Sequence, residues 1–133
     1  MKQEDKELLL KDLSARLPYG VKCIVTKSRT EEGQKGDMGK IVNICLEGVA
    51  CIDTSPFYSE FGNFKPYLFP ISSMTEEQWE ELMFISEIRI TFTPDRIIEV
   101  YKNTIEWFLK NHIDYNGLIE KGLAIDATGL NIY

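Results

Sequence analysis

Apolar positions follow two rhythms along this chain, short β-branched runs in the first half and a three-to-four-residue recurrence at the N-terminus and in the second half. From Asp5 to Leu17, Leu9, Leu10, Leu13 and Leu17 recur against Glu4, Lys6, Lys11 and Asp12, the pattern of an amphipathic helix. Pro18 cannot continue that helix and Gly20 can take the positive φ that closes one, so the helix is expected to stop at Leu17-Pro18-Tyr19-Gly20. Val21 to Thr26 is short and apolar on both faces, which predicts a central or half-buried strand. Ser28 to Gly39 is polar and glycine-rich and reads as a loop. Lys40 to Leu46 and Val49 to Thr54 read as strands of a hairpin turning at Glu47-Gly48. Pairing across that turn groups Val42, Ile44, Leu46, Val49 and Cys51 on one side and Cys45, Ala50 and Ile52 on the other, so Cys45 and Cys51 are expected to point apart.

The second half begins with Phe64 to Leu82. Pro66 and Pro70 bracket an extended aromatic segment, since each pushes its predecessor towards β or polyproline geometry. Thr75 with Gln78 three residues on is a capping box, and Met74 is placed to pack on Trp79. Glu87 to Thr93 alternates like a strand but lies between helix signals, so a helix continuing to Ile90 is the rival reading. Thr93-Pro94 starts a further helix, with Ile97, Ile98, Tyr101, Ile105, Phe108, Leu109 and His112 on one stripe and Val100 and Trp107 on a second face. The remainder, to Tyr133, is too apolar to hang free and is expected to dock as a short helix and an irregular or edge segment. These elements predict one α+β domain over residues 1–133: a small antiparallel sheet, open or curled into a barrel-like meander, flanked by an N-terminal helix and C-terminal helices.

Charge narrows the function. A net charge of −6 opposes nonspecific phosphate binding. Lys22, Lys27, Arg29, Lys35 and Lys40 cluster around one loop, diluted by Glu31, Glu32 and Asp37, and leave a nucleic-acid modulator as a minor alternative. No run is long and apolar enough to cross a membrane, and the acidic N-terminus does not read as a secretory signal, so a cytoplasmic address is expected. The three cysteines, Cys23, Cys45 and Cys51, form no CxxC pair and are expected to be buried free thiols.

Candidate chemistry is sparse. His112, with Asp114, Glu106 and Lys110 close in sequence, would be the base of a small hydrolase or transferase. The favoured reading is structural, a histidine in the last turn of a helix meeting the C-terminal dipole. Neither a metal nor a cofactor is expected, because zinc needs clustered Cys and His and a cation cage needs oxygens converging from a loop. Glu76, Glu77, Glu80 and Glu81 read as a solvated helix face. The aromatic segment, with Phe57, Tyr58, Phe61, Phe64, Tyr67 and Phe69, cannot easily face one small core entirely. Tyr58 and Tyr67 are the residues expected to face solvent as anchors for a protein partner. The leading expectation is therefore a noncatalytic binding or adaptor module, monomeric or weakly homo-oligomeric, whose aromatic segment or helical face meets a host or phage protein.

Four blocks, Glu4 to Cys23, Lys65 to Gln78, Asn111 to Ile125 and the terminal DATGLNIY, resemble a family of small proteins from gut Bacteroidetes and their phages or mobile elements. The resemblance implies a lineage and little else. It supplies no activity, cofactor or catalytic residue. One departure is Lys2-Gln3, where the family pattern implies a Thr or Ser cap ahead of the first helix.

Overall fold

The computed structural model describes residues 1–27, 36–54, 58–86 and 93–133. An N-terminal helix leads into a mixed sheet, which is followed by a helical hairpin and a docked C-terminal segment. Helix α1 spans Gln3–Arg16 and lacks a side-chain cap at Lys2, in keeping with the departure noted there. A single 3₁₀ turn over Leu17–Tyr19 closes on Gly20, whose φ of +73° is open to glycine at little cost.

Strands β1 (Lys22–Val25), β2 (Met38–Cys45), β3 (Val49–Ile52), β4 (Tyr58–Glu60) and β5 (Phe64–Pro70) make the antiparallel body of the sheet. The strand order is β4-β3-β2-β1-β5-β6, so β1 is interior, as its two-sided apolar pattern predicts. Two short additions, β6 (Ile113–Asp114) and β7 (Ile125–Asp126), pair in parallel with β5. They are parallel because the chain leaves β5 through the helical hairpin and returns to the same edge. Among the described residues the order runs from β4 to β6 with no pairing between them, so the sheet is open rather than barrel-like.

The β2–β3 hairpin corrects the predicted turn and faces. Cys45 pairs with Val49 across a three-residue loop, Leu46-Glu47-Gly48, closed by the Gly48 N–H on the Cys45 carbonyl at 3.0 Å with Gly48 at φ +88°. A register shift between Ile41 and Asn43 then turns both Ile41 and Ile44 towards the core with Ala50 and Ile52. Val42 and Leu46 are exposed instead. The same register sets Cys45 and Cys51 on one side of the ladder, not apart, and both are free, half-buried thiols. Only Cys23 is fully buried; burial, with Asp53 adding to it, pushes its thiol up to about 12.

Strand β2 also starts earlier than expected, taking in Met38 and Gly39, while residues 28–35 lie outside those described. A Cβ on Gly39 would overlap an Asp53 carboxylate oxygen and stand 2.5 Å from the Thr54 hydroxyl. Neither neighbour can yield freely: Asp53 accepts the Lys40 N–H at 2.8 Å, and Thr54 donates to the Met38 carbonyl at 2.7 Å. Gly39→Ala is therefore expected to destabilise the protein by about 1–3 kcal/mol, measured by urea denaturation.

Two apolar clusters meet along β5. The larger joins α1 (Leu9, Leu13), Val21 just ahead of β1, the sheet (Val25, Ile41, Ile52, Phe64, Leu68) and the C-terminal segment (Leu118, Leu123, Ala124). The smaller joins Met74, Leu82, Trp107 and Ile113, with Phe69, Ile85 and Phe108 against it. Leu68 belongs to the first and Phe69 to the second, so this strand carries one core into the other.

Helices α2 (Glu76–Ser86) and α3 (Pro94–Lys110) form the hairpin. The predicted capping box at the start of α2 is present in both directions: Gln78 N–H donates to the Thr75 hydroxyl at 3.2 Å, and Thr75 N–H to the Gln78 amide oxygen at 2.9 Å. Thr75→Ala is expected to lower stability by about 1 kcal/mol, seen as a lower urea midpoint at constant slope. Met74 packs with Leu82, Trp107 and Ile113, while Trp79 is 42% exposed. At α3 the Thr93 hydroxyl accepts the Arg96 N–H at 3.3 Å, with Pro94 at the first helical position.

The roll of α3 differs from its predicted stripe. Val100, Trp107 and Leu109 are buried, whereas Ile97, Ile98 and Tyr101 are exposed. Val100 and Trp107 lie seven residues apart on one face, and burying the Trp ring removes more apolar area from water than burying isoleucines in the first turns would. The helix also ends at Lys110, which leaves His112 outside it. Residues 87–92, for which strand and helix readings competed, lie outside the described segments, as does Phe57.

Candidate functional site

His112 sits just past α3 at φ +57°, a left-handed conformation uncommon for a residue with a side chain. Its ring stacks on Tyr133, with centroids 3.6 Å apart and planes at 10°. The Tyr133 hydroxyl in turn donates to the Tyr67 carbonyl at 2.7 Å and accepts the Lys22 N–H at 2.9 Å. The stack thus fastens the C-terminal residues over β1 and β5. The expected helix-dipole contact is overridden, since burial first, and then the positive charges of Arg16 and Lys22, push the imidazole down to about 4.

Asp114, the carboxylate nearest His112 in sequence, is occupied elsewhere. Both Asp114 oxygens accept backbone N–H groups, from Leu118 and Ile119, each at 2.9 Å, and so fix the turn after β6. A neutral, stacked imidazole and a carboxylate committed to two backbone donors do not make a base-and-orienter pair. The shift has a consequence for acid stability. The unfolded chain takes up a proton at His112 near 6.5, whereas the folded chain resists it down to about 4. Stability should therefore fall as pH drops through that interval, with no further loss from this group below it. His112→Asn, which tolerates the left-handed backbone, should flatten that slope in urea titrations taken across the interval.

Beneath the stack lies a polar joint that sequence reasoning missed. Arg16 and Asp12 are wholly buried and paired through Nε and Oδ2 at 2.7 Å. Arg16 Nη2 donates to the Ile113 carbonyl at 2.7 Å, and Asn116 donates to Asp12 Oδ1 at 2.7 Å. The joint ties α1 to β6 and the segment beyond it. Asp12 was read as a surface residue; the available signal was its place with Leu9, Leu13 and Arg16 at positions i, i+3, i+4 and i+7.

The two tyrosines expected to anchor a partner part company. Tyr58 is 52% exposed on β4, the sheet edge. Tyr67 is only 5% exposed, contrary to expectation, because β5 has β1 on one edge and β6 and β7 on the other. Of the basic loop, Lys22 and Lys40 border a shallow hollow shared with Asp53, and Lys22 Nζ donates to the Ile132 carbonyl at 2.7 Å. Arg29 and Lys35 lie outside the described residues. Among the described residues no three or more His, Cys, Asp or Glu converge as metal ligands.

The most exposed apolar surface of the helical hairpin lies on α2. Trp79, Met83 and Phe84 are 42%, 65% and 78% exposed. They line an outer groove of about 580 Å³ bordered by Glu76 and Glu80. Phe84 also lines a second cleft of about 550 Å³ between α2 and α3, floored by Trp107 and Ile85. The two hollows therefore share a ridge. No family model, curated protein or solved structure matches the chain.

What this face can do follows from its make-up. It offers large exposed apolar side chains beside carboxylates, the make-up of a recognition surface. Sequence reasoning left open whether an aromatic segment or a helical face makes the contact and did not single out these residues. The signal was the 3.6-residue helical period: Leu82 and Ile85 take the inner face, leaving Trp79, Met83 and Phe84 outside.

Proposed function

We propose that the chain is a noncatalytic protein-binding or adaptor module, and that α2, rather than the tyrosines of the sheet, carries its contact face. The observation behind this is the exposure of Trp79, Met83 and Phe84 together along one side of a capped helix. Grouped apolar exposure of this kind marks interaction surfaces more often than scattered single residues do. A Trp and a Phe are also the side chains that dominate interface energetics. The proposal keeps a cytoplasmic setting, a monomer or weak homo-oligomer, and the phage or mobile-element lineage suggested by the four sequence blocks. Among the described residues no helix is long and apolar enough to cross a membrane.

The test is affinity capture with matched variants. Met83→Ser and Phe84→Ser should abolish capture of a specific partner with little change in melting temperature, because both side chains are already in water. Tyr58→Ala should leave capture intact. Retained capture in both α2 variants would refute the assignment.

A further inference from the structure

We propose that the outer groove of α2 receives an amphipathic helix from another protein, with its apolar stripe flanked by Lys or Arg; this rests on the docking reading above. The charge pattern carries the argument. Among the described residues, the groove around Trp79, Met83 and Phe84 is bordered by Glu76 and Glu80 and by no basic side chain. Trp79 and Met83 are one helical turn apart, and so are Glu76 and Glu80. An apolar ridge and a parallel carboxylate row with the same repeat match a partner helix that presents apolar residues at i and i+4 beside cations at the same spacing.

The geometry selects a helix over an extended peptide. Backbone donors and acceptors in the middle of α2 are used within the helix, so the groove offers no sheet edge for strand addition. Charge selects against the other occupants. A second copy, itself at net −6, would bring four of these glutamates together across one interface. Nucleic acid and anionic lipid surfaces are repelled by the same row.

Three designed helical peptides with one leucine-based apolar stripe, flanked by Lys and Arg, by Gln, or by Glu, would be titrated calorimetrically against the full chain. The basic peptide should bind about tenfold or more tighter than the Gln peptide, and the Glu peptide most weakly. The preference should vanish in Glu76→Gln/Glu80→Gln and at about 0.5 M salt. It should persist in Glu4→Gln/Glu120→Gln, which removes equal charge elsewhere. Met83→Ser/Phe84→Ser, checked for an unchanged melting temperature, should lose binding of all three peptides.

Equal binding of the three peptides, lost in Met83→Ser/Phe84→Ser, would overturn the basic partner while leaving α2 as the docking face. Binding of none, or binding indifferent to Phe84→Ser, would overturn both. A dimer in sedimentation that dissociates in Phe84→Ser would assign the groove to a second copy and overturn the inference.

Discussion

Arg16→Ala is expected to destabilise the protein by about 3–5 kcal/mol, the cost of leaving a buried charge without its partner. The substitution deletes the 2.7 Å bond from Nε to Asp12 and the 2.7 Å bond from Nη2 to the Ile113 carbonyl. Asp12, itself without solvent exposure, would keep only the Asn116 amide among these contacts. The Arg16 side chain is also among the largest fully buried groups, and its guanidinium carbon lies 5.3 Å from the centre of the Tyr115 ring, so a cavity adds to the charge term. Equilibrium urea denaturation reads the loss. Asp12→Leu/Arg16→Met should recover much of it, since a pair of apolar side chains of similar volume carries no desolvation cost. A single variant as stable as the parent would show that water reaches the pair and screens it.

This joint also explains why the closing segment belongs to the core. The Ile113 carbonyl and Asn116 both answer to α1, although about a hundred residues separate them from it. Contacts of that separation carry a loop-closure entropy cost, which the sheet lowers by holding both ends together. Weakening the joint should therefore loosen α1 and the segment after β6 together rather than either alone.

Local signals were legible at the helix ends, where a backbone group and its capping partner lie within a few residues, though not at the β2–β3 turn, whose length depends on the register of the whole hairpin. Thr75 with Gln78, Thr93 with Pro94, and Gly20 after Pro18 all specify their own geometry, and each helix begins or ends where those residues require. The α+β class followed from the two periodicities. What was not legible depends on partners distant in sequence. The shift between Ile41 and Asn43 is set by which of Ile41, Val42 and Ile44 the sheet can bury. The roll of α3 is set by α2, which offers Leu82 and Ile85 to Trp107. The outward face of α2 is what remains after that choice: the helical period separates Trp79, Met83 and Phe84 from Leu82 and Ile85, but only the docking of α3 decides which set is covered.

Tyr67→Ala should cost about 3–5 kcal/mol in stability, while Tyr58→Ala should change it by no more than about 0.5 kcal/mol. Both tyrosines belong to the aromatic segment and were expected to face solvent together, and their positions in the sheet assign them opposite roles. Tyr67 is 5% exposed, and its strand pairs with β1 on one edge and with β7 through Tyr67 and Ile125 on the other. Its carbonyl also takes the Tyr133 hydroxyl at 2.7 Å, so a cavity there would reach the bond that holds the His112 stack. Truncating the ring removes a buried aromatic from a strand with little room to collapse, which places the cost in the upper range for core aromatics. Tyr58, 52% exposed on β4, loses mostly surface already in water. Chemical denaturation of the two single variants separates these cases. Equal, small losses would mean that the β5 ring is dispensable to the core and would return Tyr67 to the set of candidate partner contacts.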